Sequence, residues 1–432
     1  YEGNKYKINL SLNKGVKVSG RRKSYKVMRE AVWALYDIGG YYFHDDFLVD
    51  GEKIKKEDII LYSRNATHTC NVRLKGFHDA KKSPYAHFSL LSLSLGLRPL
   101  FLRVIPKYII SPAGILLTEI SSLHFSLYWS IYSCFIYNAL PYEKVFSHFR
   151  IISELGHNYY SLSHIVEAIV CQNYGTRYYL MHWSDFTLPI TKYSLAFLGC
   201  DRFLTWGNAH IQGLELDPKI FIRTGYVFKR FIKEVASKRD KVLCDMGIKA
   251  KGKIISFFDE SFGKGSEMTE EHFVVFWKTI LKVAHQEPAN TIVVKSRGLL
   301  RHKLLSSEFK REFLEILDKI LKMENIHIID EKKWSFIEAI GISDIAVTQG
   351  MTSSATIAII CEIEGLYLDQ FGYEHPFAEL FKDRIVFDNP DKLVNMIHKS
   401  EYKRRQSAIG PRINHKSFGK DWRYPVTNGF KG

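Results

Sequence analysis

A chain of 432 residues exceeds one ordinary hydrophobic core and sets the expectation of two domains of about 200 residues each. Its 46% hydrophobic and 25% charged content is that of a globular protein, and a net charge of +15 points to an anionic partner: nucleic acid, a membrane surface or a phosphorylated substrate. The six cysteines (Cys70, Cys134, Cys171, Cys200, Cys244, Cys361) form no CxxC pair or Cys/His cluster, which argues against a zinc site or disulfide framework and for a reducing compartment.

In chain order, 6-YKINLSL-12 reads as a strand, 13–24 as a glycine-containing loop and 25–39 as a helix by its apolar spacing. A strand follows at 58–63. The apolar stretch 114–140 is long enough to raise a membrane-spanning reading, but Glu119, His124 and many Ser and Tyr residues favour buried helices, or an aromatic surface resting on a membrane. The segment 161–175 is helical and is closed by Gly175, with a strand at 177–183. No signal peptide is legible from Tyr1 onward.

The second half repeats this alternation. Strands are expected at 253–259, 291–296, 326–330, 343–348, 365–369 and 384–388. Helices are expected from Thr269, a capping residue, to about His285, and near 306–324, 335–341, 354–362 and 390–400. Apolar strands separated by helices imply α/β architecture with a parallel, doubly wound sheet. The expected division is residues 1–225, residues 226–400, and a tail, 401–432, that packs back on the first domain.

Between two apolar runs stands the small polar turn Thr348, Gln349, Gly350, Met351, Thr352, Ser353, Ser354. In a doubly wound sheet ligands sit outside the carboxyl ends of the strands, where a helix start aims its N–H groups and positive dipole at the crevice. A strand, a turn without bulky side chains and a helix opened by hydroxyls therefore suit a phosphate. Capping of the helix by Ser and Thr is the simpler alternative. Lys264 in its glycine loop, Lys295 and Arg297 fall on the same expected sheet edge, where they would neutralise a diphosphate or phosphodiester.

With 349-QGMTSSATIAI-359, 291-TIVVKSR-297 and 201-DRFLTWGNAHIQGL-214, the second half resembles the donor-binding domain of GT-B glycosyltransferases of bacterial capsule and lipopolysaccharide synthesis. The resemblance implies two Rossmann-like domains facing a cleft. It also implies a nucleotide-sugar donor (a CMP-linked 2-keto acid such as Kdo among the candidates), and a glycan or lipid-linked acceptor. The donor is a substrate, so no cofactor is expected. The donor would be held by Lys264, Lys295, Arg297, Gln349, Thr352, Ser353 and Ser354, with Glu374 and His375 near the nucleoside. Asp259 and Glu260, ending a strand beside the glycine loop, are candidates for acceptor or donor hydroxyls.

No Asp-x-Asp triplet stands near a strand end, so a metal-independent mechanism is expected, with Lys and Arg in place of the cation. The base or nucleophile should come from the first domain: Asp185 first, then Glu154 and His157. The expected location is the cytoplasm, at the inner face of an anionic membrane. A polyol-phosphate transferase or a sugar-nucleotide epimerase would share the phosphate turn. A basic nucleic-acid- or membrane-binding protein is the rival from another class, but Lys and Arg are dispersed and no reader motif is present, so nucleic acid is not an expected partner.

Overall fold

The computed structural model describes residues 24–30, 58–63, 86–89, 138–140, 142–156, 163–182, 199–207, 218–262, 268–297, 309–330, 333–372, 382 and 384–399. The expected strand 6–12, most of the apolar stretch 114–140 and the tail 401–432 lie outside these residues. Among the described residues no helix is long and apolar enough to cross a membrane.

The first sheet contains β1 (Ser24–Glu30), β2 (Ile59–Ser63), β3 (Ala86–Ser89), β4 (Arg150–Gly156), β5 (Arg177–Met181), β6 (Arg202–Thr205) and β7 (Phe221–Arg223). All pairs are parallel, in the order β3-β2-β1-β4-β5-β6-β7. Helix α1 (Ser163–Tyr174) connects β4 to β5 and ends at Gly175, whose φ of 68° is the left-handed conformation glycine adopts readily.

Here the start of the helix expected over 25–39 is corrected: Ser24–Glu30 is a central strand between β2 and β4. A central parallel strand is covered on both faces, so Tyr25, Val27 and Met28 are all buried. The resulting apolar spacing mimics that of a helix over so short a run. Strand β4 was not expected at all, because Ser153 and Glu154 interrupt its apolar character although both are fully buried.

The second sheet contains β8 (Ile254–Phe258), β9 (Thr291–Lys295), β10 (Ile326–Ile328), β11 (Ile345–Gln349), β12 (Glu364–Leu368) and β13 (Val386–Phe387). They are parallel, in the order β10-β9-β8-β11-β12-β13. The strand order reverses direction between β8 and β11, and that switch point is where a doubly wound sheet opens a crevice at its carboxyl edge.

Helices α2 (Lys229–Ser237) and α3 (Arg239–Met246) join the two sheets. Helix α4 (Glu270–Gln286), capped by the Thr269 hydroxyl, packs with α5 (Lys310–Leu321) and α8 (Pro390–Lys399) over one face. Helices α6 (Phe336–Gly341) and α7 (Ser353–Ile360) cover the other face, and α2 packs on α6. Gly341 permits that approach, since a Cβ there would lie 2.5 Å from Val235 Cγ1. One hydrophobic cluster runs from Val27, Leu155 and Tyr179 through Trp206, Tyr226 and Phe228 into the second sheet.

Candidate active site at the switch point of the second sheet

The carboxyl ends of β8 and β11 are tied together by Glu260, which follows β8, and Gln349, which ends β11. The Glu260 N–H donates to Gln349 Oε1 at 3.1 Å. Gln349 is 2% exposed, and its Nε2 is buried with no hydrogen-bond partner. A buried, unmet donor costs about 1–3 kcal/mol.

From Gln349 the chain turns sharply into α7. Gly350 has φ of 65°, its N–H donates to Leu368 O at 2.7 Å, and a Cβ at this position would sit 2.1 Å from Met268 Cε. Only glycine meets both demands without strain. Thr352 is the N-cap of α7 but makes no capping hydrogen bond through its side chain. Its hydroxyl instead donates to Gln349 O at 3.4 Å. The Thr356 hydroxyl is within 2.6 Å of Tyr367 OH in the core, leaving Ser353 and Ser354 to open the helix. Thr352 therefore does not cap α7 through its hydroxyl.

Beside this turn, on β9, Lys295 is half-buried and its Nζ donates to Ser296 O at 3.0 Å. Its charge also reaches Glu338, whose carboxyl burial pushes above the usual range despite hydrogen bonds from Ser335 and the Lys295 charge. Arg297 pairs with the Glu260 carboxylate, and the guanidinium side is open, with the Arg297 side chain 65% exposed and that of Glu260 17%. Burial raises the Glu260 pKa above its ordinary value, and it outweighs the opposing Arg297 charge and hydrogen bond.

Asp259, 3% exposed, accepts from Trp277 Nε1 at 3.3 Å, from the Ser296 hydroxyl at 2.9 Å and from the Arg297 N–H at 2.6 Å. Its carboxylate thus fixes the end of β9 to that of β8 and to α4. The sequence offers no signal that would pair Asp259 with Trp277. Nearby, His272 in the first turn of α4 packs on Phe371 with ring centroids 3.5 Å apart, and burial lowers its pKa.

The structure thus brings Asp259, Glu260, Lys295, Arg297, Gln349, Thr352, Ser353 and Ser354 to one edge of one sheet. Glu154 lies elsewhere, inside β4 of the first sheet. It is fully buried and accepts from the Cys171 thiol at 2.8 Å, beside Glu167, which accepts from Tyr142 OH at 2.5 Å and Tyr178 OH at 2.7 Å. Burial, reinforced by these carboxylates, pushes the Cys171 and Tyr178 pKa values well up. Lys264, Asp185, His157, Glu374 and His375 lie outside the described residues. Among the described residues no group of three or more His, Cys, Asp or Glu side chains is placed to hold a metal ion.

Two parallel, doubly wound sheets with a polar switch point define an α/β protein of the two-Rossmann type. Solved structures share that fold. A protein from Listeria monocytogenes assigned as a UDP-N-acetylglucosamine 2-epimerase matches with a TM-score of 0.52 and 11% identity, over 94% of both chains. The wall teichoic acid polymerase TagF matches with a TM-score of 0.51 and 9% identity, over 93% of this chain and 87% of the other. The N-terminal domain of Candida albicans trehalose-6-phosphate phosphatase matches with a TM-score of 0.50 and 11% identity, over 94% and 98%. The fold class is therefore that of the GT-B proteins.

No protein-family model matches the chain. Sequence likeness to curated proteins is local. A glutamine-dependent NAD(+) synthetase of Aquifex aeolicus is 52% identical over 52 residues, which is 12% of this chain and 9% of the relative. That of Thermotoga maritima is 42% identical over 74 residues, 17% and 12% respectively. The chain spans about a tenth of the length of these curated relatives.

Proposed function

We propose that this chain is a glycosyltransferase that moves a sugar from a nucleotide-sugar donor to a glycan or lipid-linked acceptor in surface-polysaccharide synthesis. The single observation that carries the reading is the Gln349 amide. Its Oε1 is fixed by the Glu260 N–H, and its Nε2 is buried and unmet one turn before the start of α7, whose N-cap hydroxyl does not cap. A buried amide donor without an acceptor, beside a helix start on the switch point of a doubly wound sheet, suits an anion.

The chemistry follows from that placement. The departing phosphate gains negative charge as the glycosidic bond breaks, and the N–H groups opening α7, Gln349 Nε2, Lys295 and Arg297 stabilise it with no metal ion. The Asp259 carboxylate is taken up in holding the Ser296 hydroxyl and the Arg297 N–H, so it positions the cationic edge. On the acceptor side, Asp185 follows the carboxyl end of β5 by four residues and is the proposed base or nucleophile. The His182 N–H fixes that strand end by donating to Leu204 O at 2.7 Å. The basic surface suits a peripheral site on the cytoplasmic face of an anionic membrane.

The fold's other bearers support a nucleotide-linked substrate: one is assigned to a UDP-sugar, and a variant of the teichoic acid polymerase, also at a TM-score of 0.50, was soaked with CDPG. That polymerase keeps polyol-phosphate transfer as a second reading on the same phosphate site, and product analysis separates the two. The short NAD(+) synthetase matches, at 17% of the chain or less, support no activity here.

The test is a thermal-shift screen of the full chain against nucleotides and nucleotide sugars, since a ligand that binds only the folded state raises Tm. At least one nucleotide should raise Tm in a dose-dependent manner, and the matching nucleotide sugar should then yield a transferred product. A folded protein indifferent to every nucleotide would refute the reading.

A further inference from the structure

We propose that the outer flank of α5 docks on an anionic lipid bilayer, a reading that rests on the peripheral-membrane placement above and names the surface that meets the lipid.

The exposed apolar side chains locate that surface. Among the described residues the three exposed large hydrophobic side chains, Phe309 at 37%, Leu314 at 43% and Leu321 at 69%, all belong to α5 or to its N-cap. The helix carries two apolar stripes of the same spacing, one residue out of step. Phe313, Ile316 and Ile320 are buried against the domain, while Leu314, Leu317 and Leu321 form a second stripe that is exposed at both ends. Covering the sheet requires only the first stripe. At about 100° per residue, Glu312 stands on the side of the helix opposite Leu314 and Leu321, and Glu312 pairs with Lys278 of α4. The second stripe therefore faces away from α4, toward the side on which the sheet ends with β10.

Charge chooses the occupant. Lys310 and Arg311, in the first turn of α5, are exposed and make no ion pair among the described residues. Asp318 is neutralised by Lys322 and Glu312 by Lys278, which leaves Glu315 and Glu324 as the unpaired acids around Lys319. The sequence that enters α5, 299-LLRHKLL-305, repeats the combination of leucine and cation. Over residues 299–322 six Lys and Arg stand against four Asp and Glu, an excess that complements anionic headgroups. A second copy of the chain fits less well, because a stable dimer buries about 800 Å² per partner and a narrow stripe of partly exposed side chains does not supply it. For a bilayer, shallow entry of a few leucines with attraction to nearby cations is enough.

The placement also serves the site. Helix α5 returns the chain from the carboxyl edge of the sheet, so Lys310 and Arg311 are its cations nearest to that edge. Lys295 ends β9, which neighbours β10 at about 4.8 Å. A bilayer along this side of the domain brings a lipid-linked acceptor alongside the carboxyl edge rather than behind it.

The experiment is co-sedimentation of the full chain with vesicles of phosphatidylglycerol and phosphatidylethanolamine, and with vesicles of phosphatidylcholine alone. The proteins compared are the native chain, Leu314→Gln with Leu321→Gln, Leu314→Met with Leu321→Met, and Lys310→Gln with Arg311→Gln. Circular dichroism melts, nucleotide thermal shifts and light scattering without lipid accompany it. The native protein should bind the anionic vesicles about tenfold more strongly than the neutral ones. The Gln pair, which keeps side-chain length and helix propensity, should weaken that binding by about tenfold, and the Met pair should preserve it. Loss of Lys310 and Arg311 should weaken it by about fivefold, on anionic vesicles only. Every variant should melt within about 3 °C of the native protein and keep its nucleotide shift. Undiminished vesicle binding by the Gln pair overturns the assignment of this surface while leaving peripheral binding intact, and a native protein that binds no vesicle removes both. A large fall in Tm for the Gln pair would mean that the chain itself covers the stripe, and a native dimer that the Gln pair dissolves would assign it to a second copy. Either result overturns the proposal.

Discussion

Replacing Gln349 by Met keeps the volume and shape of the side chain while removing the amide. In the unliganded protein the change removes a buried Nε2 that makes no hydrogen bond, a relief of about 1–3 kcal/mol. It also removes the 3.1 Å bond from the Glu260 N–H, a loss of about 0.5–1.5 kcal/mol. The two nearly cancel, so Gln349→Met should melt within about 1–2 kcal/mol of the native protein, on either side. Binding has no such compensation. A hydrogen bond to a charged group contributes about 1.5–3 kcal/mol, and at 1.4 kcal/mol per decade nucleotide affinity should fall about 10- to 150-fold. Denaturant unfolding gives the first quantity and calorimetry with the nucleotide found in the screen gives the second. Loss of several kcal/mol of stability, or unaltered affinity in a folded variant, would refute the reasoning, because Gln349 would then be a packing residue.

Gly350→Ala should both destabilise and weaken binding: the left-handed φ costs about 1–2 kcal/mol, and the Cβ forces Met268 aside, so Tm should drop by several degrees in a melt and the nucleotide-induced shift should shrink. Lys295→Ala should cost under about 1 kcal/mol of stability yet weaken the donor or its turnover at least tenfold, measured by unfolding and kcat/KM. Transfer should continue in excess EDTA, and activity that vanishes and returns with Mg²⁺ or Mn²⁺ would overturn the metal-free mechanism. At the opposite edge, Arg239 holds Asp344 with two bonds of 2.9 and 2.6 Å, and Asp344 also accepts from the Ile254 N–H. Burial pushes the Asp344 pKa up, but these bonds and the Arg239 charge bring it below the ordinary value. The pair's contribution is present above about pH 4 and lost as pH falls through the ordinary carboxylate range toward the folded value, so the stability gap between native protein and Arg239→Ala, about 1 kcal/mol after solvent screening, should close in acid, as read from unfolding across pH.

How much of this was legible in the sequence divides at the middle of the chain. The strands of the second sheet alternate with helices punctuated by Thr269, Ser335 and the Gly350 turn, and each apolar strand run is short. The first sheet hides its two central strands. In β1 the residues are apolar on both faces and imitate a helix, while in β4 the buried Glu154 is satisfied by Cys171, a partner 17 positions away that no local pattern announces. At the site, strand ends and a polar turn were readable because the doubly wound order fixes where they meet. What each side chain does there was not. Asp259 is saturated by Trp277, Ser296 and the Arg297 N–H, and Arg297 is held by Glu260, because these contacts join elements far apart in sequence.

The central claim is that an anionic ligand is received where β11 turns into α7. A crystal structure of the full chain soaked with the nucleoside diphosphate selected by the thermal-shift screen tests it most directly. One phosphoryl group should lie within hydrogen-bond distance of Gln349 Nε2 and the N–H groups of Ser353 and Ser354. Phosphates bound away from this turn, with Gln349 Nε2 still unmet, would contradict it.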